Sequence, residues 1–255
     1  MTVEINGNFF FSSQYLLNDT PSINTKQDAE RLISDILNKY NNAGFPFCRI
    51  SPEIIRNDDA SARMILTIEE GKRVIIEDLF INNKARTNVG AAKRIADFRP
   101  GGYFSLKTVA AAKKKLAKTN AFEKIGDNVV ERDGKYYLLL TLDEKESDFL
   151  MVSGSLGGTN LQFGASYSSF NLLGTLRQLG FVYQHQKLFS LKFREPVLIA
   201  PVILDADFSI WTFDSMRQIV GHMQFSAPVG EHISISLLSG IELVNDYRND
   251  TLTVE

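Results

Sequence analysis

The chain has 255 residues, enough for two or more domains with sizeable cores, and a net charge of −2 that gives no support to a nucleic-acid partner. Its single cysteine, Cys48, excludes a disulfide or a thiolate metal cluster within these residues. No run of about 18 apolar residues occurs, which excludes a spanning helix but leaves a spanning β-barrel open.

Met1-Thr2-Val3-Glu4-Ile5 is expected to form a strand rather than a signal peptide, as in a protein that stays inside the cell or a sequence that begins partway along a longer one. A short helix is expected around Ser12–Leu17. A longer one follows, opened by Thr25 with Asp28 as a capping box and stopped at Gly44. Its apolar stripe is Ala29, Leu32, Ile33, Ile36, Leu37 and Tyr40. Strands Phe47–Arg56 and Ala62–Glu69 then flank the turn Asn57-Asp58-Asp59-Ala60.

The pattern starts again about 76 residues on, where Ile81-Asn82-Asn83 echoes Ile5-Asn6-Gly7. Helices are expected over Val89–Ala96 and after Ser105, the second with the stripe Val109, Ala112 and Leu116. Strands Val129–Arg132 and Lys135–Leu142 flank Asp133-Gly134, a strong tight-turn signal. Each copy thus reads β-α-α-β-β. Each also leaves through an acidic exit, Glu69-Glu70-Gly71 in the first and Asp143-Glu144 in the second.

From Phe149 onward the period becomes two. Leu161, Phe163, Ala165 and Tyr167 alternate with Gln162, Gly164, Ser166 and Ser168; Leu179, Phe181 and Tyr183 alternate with Gln178, Gly180 and Gln184. Later segments repeat the pattern, giving seven strands and an eighth near Thr251. The last 108 residues hold six basic and ten acidic residues, against 22 and 20 in the first 147. A soluble sandwich would keep its outward face rich in Lys and Glu, whereas Ser, Gln and Gly suit a wet lumen with lipid opposite.

Residues that could carry chemistry have simpler readings. His185, His222 and His232 lack metal-ligand spacing. Gly154-Ser155-Leu156-Gly157-Gly158 is followed by no Lys-Ser/Thr and opens no helix, so it reads as a strand end and turn. Lys113-Lys114-Lys115 reads as a solvated helix face, Trp211 and Tyr183 as interfacial anchors, and Asp205 with Asp207 as lumen-lining carboxylates.

The tandem β-α-α-β-β order resembles the polypeptide-transport-associated (POTRA) domain, and Leu116-(x5)-Phe122 leading to Leu142-Asp143-Glu144 is similar to that family's closing pattern. Tyr167-Ser168-Ser169-Phe170-Asn171-Leu172-Leu173-Gly174-Thr175 resembles the first hairpin of the BamA-like outer-membrane assembly barrels, where Asn-Leu-x-Gly-x-Gly follows a tyrosine-bearing strand. Leu176 stands in place of the second glycine, a departure from the pattern. Leu191-Lys192-Phe193-Arg194-Glu195-Pro196 resembles the Glu-Pro that ends a later strand of those barrels.

The resemblance implies α+β POTRA repeats (β-α-α-β-β) followed by the N-terminal half of an antiparallel transmembrane β-barrel. The division would be residues 1–71 and 72–147 for the repeats and 148–255 for the barrel. Because the family's barrel has sixteen strands, the chain is expected to be an internal piece of a longer protein. The implied function is assembly, insertion or translocation of β-rich polypeptides at a bacterial outer membrane, with the repeats in the periplasm. Partners would be unfolded outer-membrane or secreted polypeptides, accessory lipoproteins or periplasmic proteins, and the lipid bilayer, with no cofactor, catalysis or nucleic acid. Insertase, two-partner secretion and enzyme-linked barrels stay open, as does a rival class: a soluble or surface-attached adhesion protein ending in a β-sandwich.

Under this reading Cys48, Ile50, Ile54, Val129 and Val130 mark strand edges that bind polypeptide by β-augmentation. Leu150, Val152, Gly154 and Leu156 lie on the first barrel strand, Phe149–Gly157, which forms the closing seam. Phe163, Phe181, Leu191, Phe208 and Ile235 face lipid.

Overall fold

A computed structural model describes residues 2–17, 23–56, 62–83, 86–157, 160–199, 201–213, 216–229, 233–246 and 251–254. The expected turn Asn57–Ala60, together with Gly158 and His232, lies outside the described residues.

In the first repeat, β1 (Thr2–Asn6) runs parallel to β3 (Ala62–Glu69), which pairs antiparallel with β2 (Arg49–Arg56), giving the sheet order β1-β3-β2. Between β1 and β2 come α1 (Ser13–Leu17) and α2 (Lys26–Asn42). The capping box forms as its residue types dictate: the Thr25 side chain accepts from the Asp28 N–H, and Asp28 accepts from the Thr25 N–H. A hydrogen bond from the Thr25 hydroxyl first, and then those from the Asn24 and Thr25 N–H groups, hold the Asp28 carboxyl below its usual range. Ala29, Leu32, Ile36 and Tyr40 recur at helical spacing and are buried with Ile5, Leu16, Met64, Leu66 and Ile68. Ile33 packs partly against this core and Leu37 is half-buried, so the buried stripe is narrower than the sequence pattern.

The second repeat has β4 (Ile76–Asn83), α3 (Val89–Ala96), α4 (Leu106–Ala117), β5 (Phe122–Arg132) and β6 (Lys135–Glu144), with sheet order β4-β6-β5. Asp133 and Gly134 both take positive φ, 51° and 74°, which the tight two-residue hairpin turn requires. β5 begins seven residues before the expected start. Lys124, Gly126, Asp127 and Asn128 are poor strand formers, and sheet pairing overrides their propensity.

Eight further strands follow: β7 (Asp148–Gly157), β8 (Asn160–Ser169), β9 (Gln178–Gln184), β10 (Leu188–Ile199), β11 (Val202–Phe213), β12 (Met216–Pro228), β13 (Ser234–Asp246) and β14 (Thr251–Val254). Each is hydrogen-bonded to the next in an antiparallel meander, so the sheet is open with β7 and β14 at its edges. Backbone contacts group the chain into two compact units. One is Met1–Phe80, Phe98–Ala111 and Asp127–Leu140; the other is Ile81–Asp97, Ala112–Gly126 and Thr141–Glu255.

Candidate functional site

Ile50, Ile54, Val129 and Val130 lie on edge strands, whereas Cys48 falls just outside, because β2 begins at Arg49 rather than at Phe47. β2 is the outer strand of the first sheet and β5 of the second, so each carries backbone groups that no strand on that side satisfies. Cys48 precedes β2 and is half-buried, and burial pushes its thiol up to about 11. Ile50 and Ile54 stand opposite Ile68 and Met64 of β3. Ile54 nonetheless remains 58% exposed, whereas Val129 and Val130 on β5 are half-buried.

The eight-stranded sheet has two chemically distinct faces. Leu191 stands opposite Phe181 and Phe208, Phe208 opposite Gly221, and Gly221 opposite Ile241. With alternate residues on one face, the ladder places Phe163, Phe181, Leu191, Phe208 and Ile235 together. Gln162, Gln184, Ser190, Asp207 and Ser234 share the other face. That polar face is internally paired: Arg194 meets Asp205 at 3.5 Å, and His222 meets Asp207 at 3.1 Å. Leu150, Val152, Gly154 and Leu156 lie on edge strand β7, on the apolar face, and its three large side chains are at least 73% exposed.

The base of this sheet is built by residues that sequence reasoning did not single out as a site. Glu195, 4% exposed, accepts from Arg177 Nε at 2.5 Å and from Arg94 at 3.3 Å, joining α3 to β10 and to the connection before β9. The buried Asn171 donates to the Thr87 hydroxyl at 2.8 Å and accepts the Leu176 N–H at 2.9 Å. The Asn88 N–H donates to the Gly174 carbonyl at 2.8 Å. Gly174 has φ +76°, and a Cβ there would sit 2.2 Å from the Arg86 carbonyl oxygen, so only glycine fits. Leu176 also adopts a left-handed conformation, φ 62°, yet is fully buried. Its packing offsets backbone strain of about 1–2 kcal/mol, which explains how leucine occupies a glycine-type position.

The acidic exits are functional in the structural sense. Glu70 accepts the Phe10 N–H at 2.7 Å and the Tyr40 hydroxyl at 2.8 Å. Glu144 accepts the Thr87 N–H at 2.6 Å and the Arg86 N–H at 3.3 Å. Arg86 in turn pairs with Asp148 and donates to the Ser147 hydroxyl at 2.6 Å. The Glu70/Glu144 correspondence and the Glu195-Pro196 dipeptide were visible in the sequence; their partners were not.

Joining the two repeats, Arg73 stacks on Tyr103, 3.7 Å from the ring centroid, and on Phe10 at 5.0 Å, while its Nε donates to the Ala43 carbonyl. The Asn42 side chain accepts the Lys107 N–H at 2.8 Å and the Ser105 hydroxyl at 3.3 Å. Ser105 occupies the expected cap position of α4, but the capping oxygen comes from Asn42.

Of the remaining sequence features, Lys115 pairs with Asp97 at 2.6 Å, His185 stacks on Phe163, and Trp211 stacks on Phe213. Among the described residues no cluster of His, Cys, Asp or Glu could hold a metal ion. No described helix is long and apolar enough to cross a membrane, which says nothing of spanning strands.

Two β-α-α-β-β repeats followed by an antiparallel strand meander define the class of fold. That arrangement is shared with BamA from Haemophilus ducreyi lacking POTRA domains 1–3, at TM-score 0.68 and 16% identity over 96% of this chain and 51% of that one. CdiB from Acinetobacter baumannii matches at TM-score 0.50 and 10% identity, over 100% of this chain and 54% of that one. The Haemophilus influenzae BamA fragment POTRA3–5 matches 56% of this chain and 59% of its own, at TM-score 0.50 and 15% identity. The chain therefore has the fold of BamA and CdiB, as its motifs led one to expect, and spans about half the length of each larger structure. No protein-family model and no curated protein matches the chain.

Proposed function

We propose that the chain is the part of an outer-membrane protein that joins POTRA repeats to a transmembrane β-barrel, and that it serves the insertion or translocation of β-rich polypeptides. Residues 1–71 and 72–147 are the periplasmic repeats, and 148–255 is the front of the barrel. The repeats take extended segments of unfolded outer-membrane or secreted polypeptides along their free strand edges, and β7 is the strand at which the barrel closes. No step of this activity requires catalysis or a cofactor.

The observation that carries this reading is the open meander with one apolar face exposed. Ile235, Leu237 and Ile241 are 65%, 69% and 53% exposed, and the described chain stacks no second sheet over them. A β-sandwich buries that face in a dry core; a bilayer covers it with lipid. The fold shared with BamA and CdiB supports the same setting.

Single cysteines in a Cys48→Ser background, with the protein reconstituted in bilayers, test it. Cysteines replacing Phe163, Phe181, Leu191, Phe208 and Ile235 should react with lipid-soluble reagents, and those replacing Gln162, Gln184, Ser190, Asp207 and Ser234 with aqueous ones. Phe181→Arg should impair insertion more than Gln184→Arg, by roughly 2–4 kcal/mol for a cation at the bilayer midplane. Equal protection of both sets from the lipid reagent would indicate a dry core and sink the proposal.

A further inference from the structure

We infer that β5, not β2, is the edge that takes the incoming chain, and that the segment it prefers carries basic side chains at alternate positions. This rests on the strand-capture reading above and adds to it which edge acts and on what chemistry.

A free edge captures a strand through its outward N–H and C=O groups, and only an extended backbone satisfies the whole row. Pro52 lies inside β2, opposite Leu66 of β3, and has no N–H to give. Proline is accommodated on an edge strand with its nitrogen toward solvent, so the missing donor falls in the free row, near its middle. A strand docking on β2 would leave a carbonyl unmatched where it needs continuity. β5 contains no proline and runs for 11 residues against the eight of β2.

Side-chain chemistry separates the edges further. With alternate residues on opposite faces, Glu123, Ile125, Asp127, Val129 and Glu131 share one face of β5. Glu123, Asp127 and Glu131 are exposed, with the half-buried Ile125 and Val129 between them. A strand laid alongside meets this row of carboxylates and apolar groups, which lysine or arginine at directly opposed positions complements and glutamate repels. β2 offers no comparable row: Arg49, Ser51, Glu53 and Ile55 share one face, and Ile50, Pro52 and Ile54 the other.

Hydrogen exchange on the 255-residue chain in detergent distinguishes the possibilities, using a nine-residue peptide of alternating valine and lysine and a second of alternating valine and glutamate. Saturating valine–lysine peptide should slow exchange in Asp127–Arg132 at least tenfold, leave β2 unchanged, and outcompete the valine–glutamate peptide. Slowing in β2 as large as in β5 would overturn the choice of edge while leaving strand capture intact. Equal slowing by both peptides would overturn the charge preference. Slowing in neither strand with either peptide would overturn strand capture itself. Pro52→Thr, which restores the N–H without disturbing a buried side chain, should open β2 to the same peptide; if β2 stays unprotected in this variant, proline is not what closes it.

Discussion

Glu70 and Glu144 occupy the same place in two copies of one small fold, and each accepts from the backbone of the loop that follows the first strand of its repeat, Glu70 one N–H and Glu144 two. Their second commitments differ. Glu70 turns inward to the phenol of Tyr40, which is fully buried, whereas the position one repeat later is Leu116, equally buried and without a polar atom. Glu144 instead holds Arg86, whose guanidinium reaches Ser147 and Asp148 at the start of the large sheet. The same backbone device therefore closes one repeat upon its own core and ties the other to the strands that follow. Both repeats hold the glutamate; the differing neighbour decides what it anchors.

The largest expected effect lies on the sheet side of this comparison. Glu195→Ala leaves Arg94 and Arg177 without their shared carboxylate and should lower stability by about 2–4 kcal/mol, less than a wholly buried pair because both guanidiniums are over a third exposed. Urea unfolding in detergent measures it, and a loss comparable to that of an exposed ion pair would show the base to be loosely held. Next, Glu144→Ala strands the buried Thr87 N–H and should cost about 1–3 kcal/mol. Its amide exchange should quicken at Thr87 and along β7, while Glu70→Ala should quicken Phe10 and leave β7 alone; a reversed pattern would break the comparison.

Leu176→Gly sets relief of a left-handed backbone against loss of a fully buried side chain. Burial should win, with a net loss of about 1–2 kcal/mol by the same unfolding measurement. A stabilised glycine variant would mean that the leucine packing contributes little.

The smallest effect is expected at Tyr40→Phe, about 1 kcal/mol near neutral pH, with a clearer signature in alkali. Burial first, and then the bond to Glu70, push the Tyr40 phenol above its ordinary value of 10.0. A raised folded value means that the stabilisation is complete below the unfolded value and is lost as pH rises beyond it. Cys48 acts in the same sense from 9.0 toward about 11. Thermal stability of the first repeat should therefore decline from about pH 9 upward, and more shallowly in the phenylalanine variant. An unchanged slope would remove Tyr40 as the inward anchor.

Much of the fold was legible because it is periodic. Helical spacing marked Leu32, Ile36 and Tyr40, alternation marked the meander, and Asp133-Gly134 marked a turn whose φ values require those residues. The start of β5 was not legible, since sheet pairing rather than propensity holds Lys124–Asn128 extended. The base of the sheet was hidden for a different reason. Glu195 meets arginines 101 and 18 residues away, and Asn171 meets Thr87 across 84 residues, so no local pattern announces them. What the sequence did expose was one member of each set, Glu195 and Asn171 at motif positions, waiting for partners that only tertiary structure supplies.

The Asn42 side chain gives α4 a capping oxygen that α4's own segment does not provide. A helix whose first turn is completed by the last residue of an earlier helix inherits a sequence of events. α2 precedes α4 in the chain, so the residue that completes the turn is synthesised before the turn it caps. The two copies are thus not independent beads: the first turn of α4 lacks that oxygen unless α2 is in place.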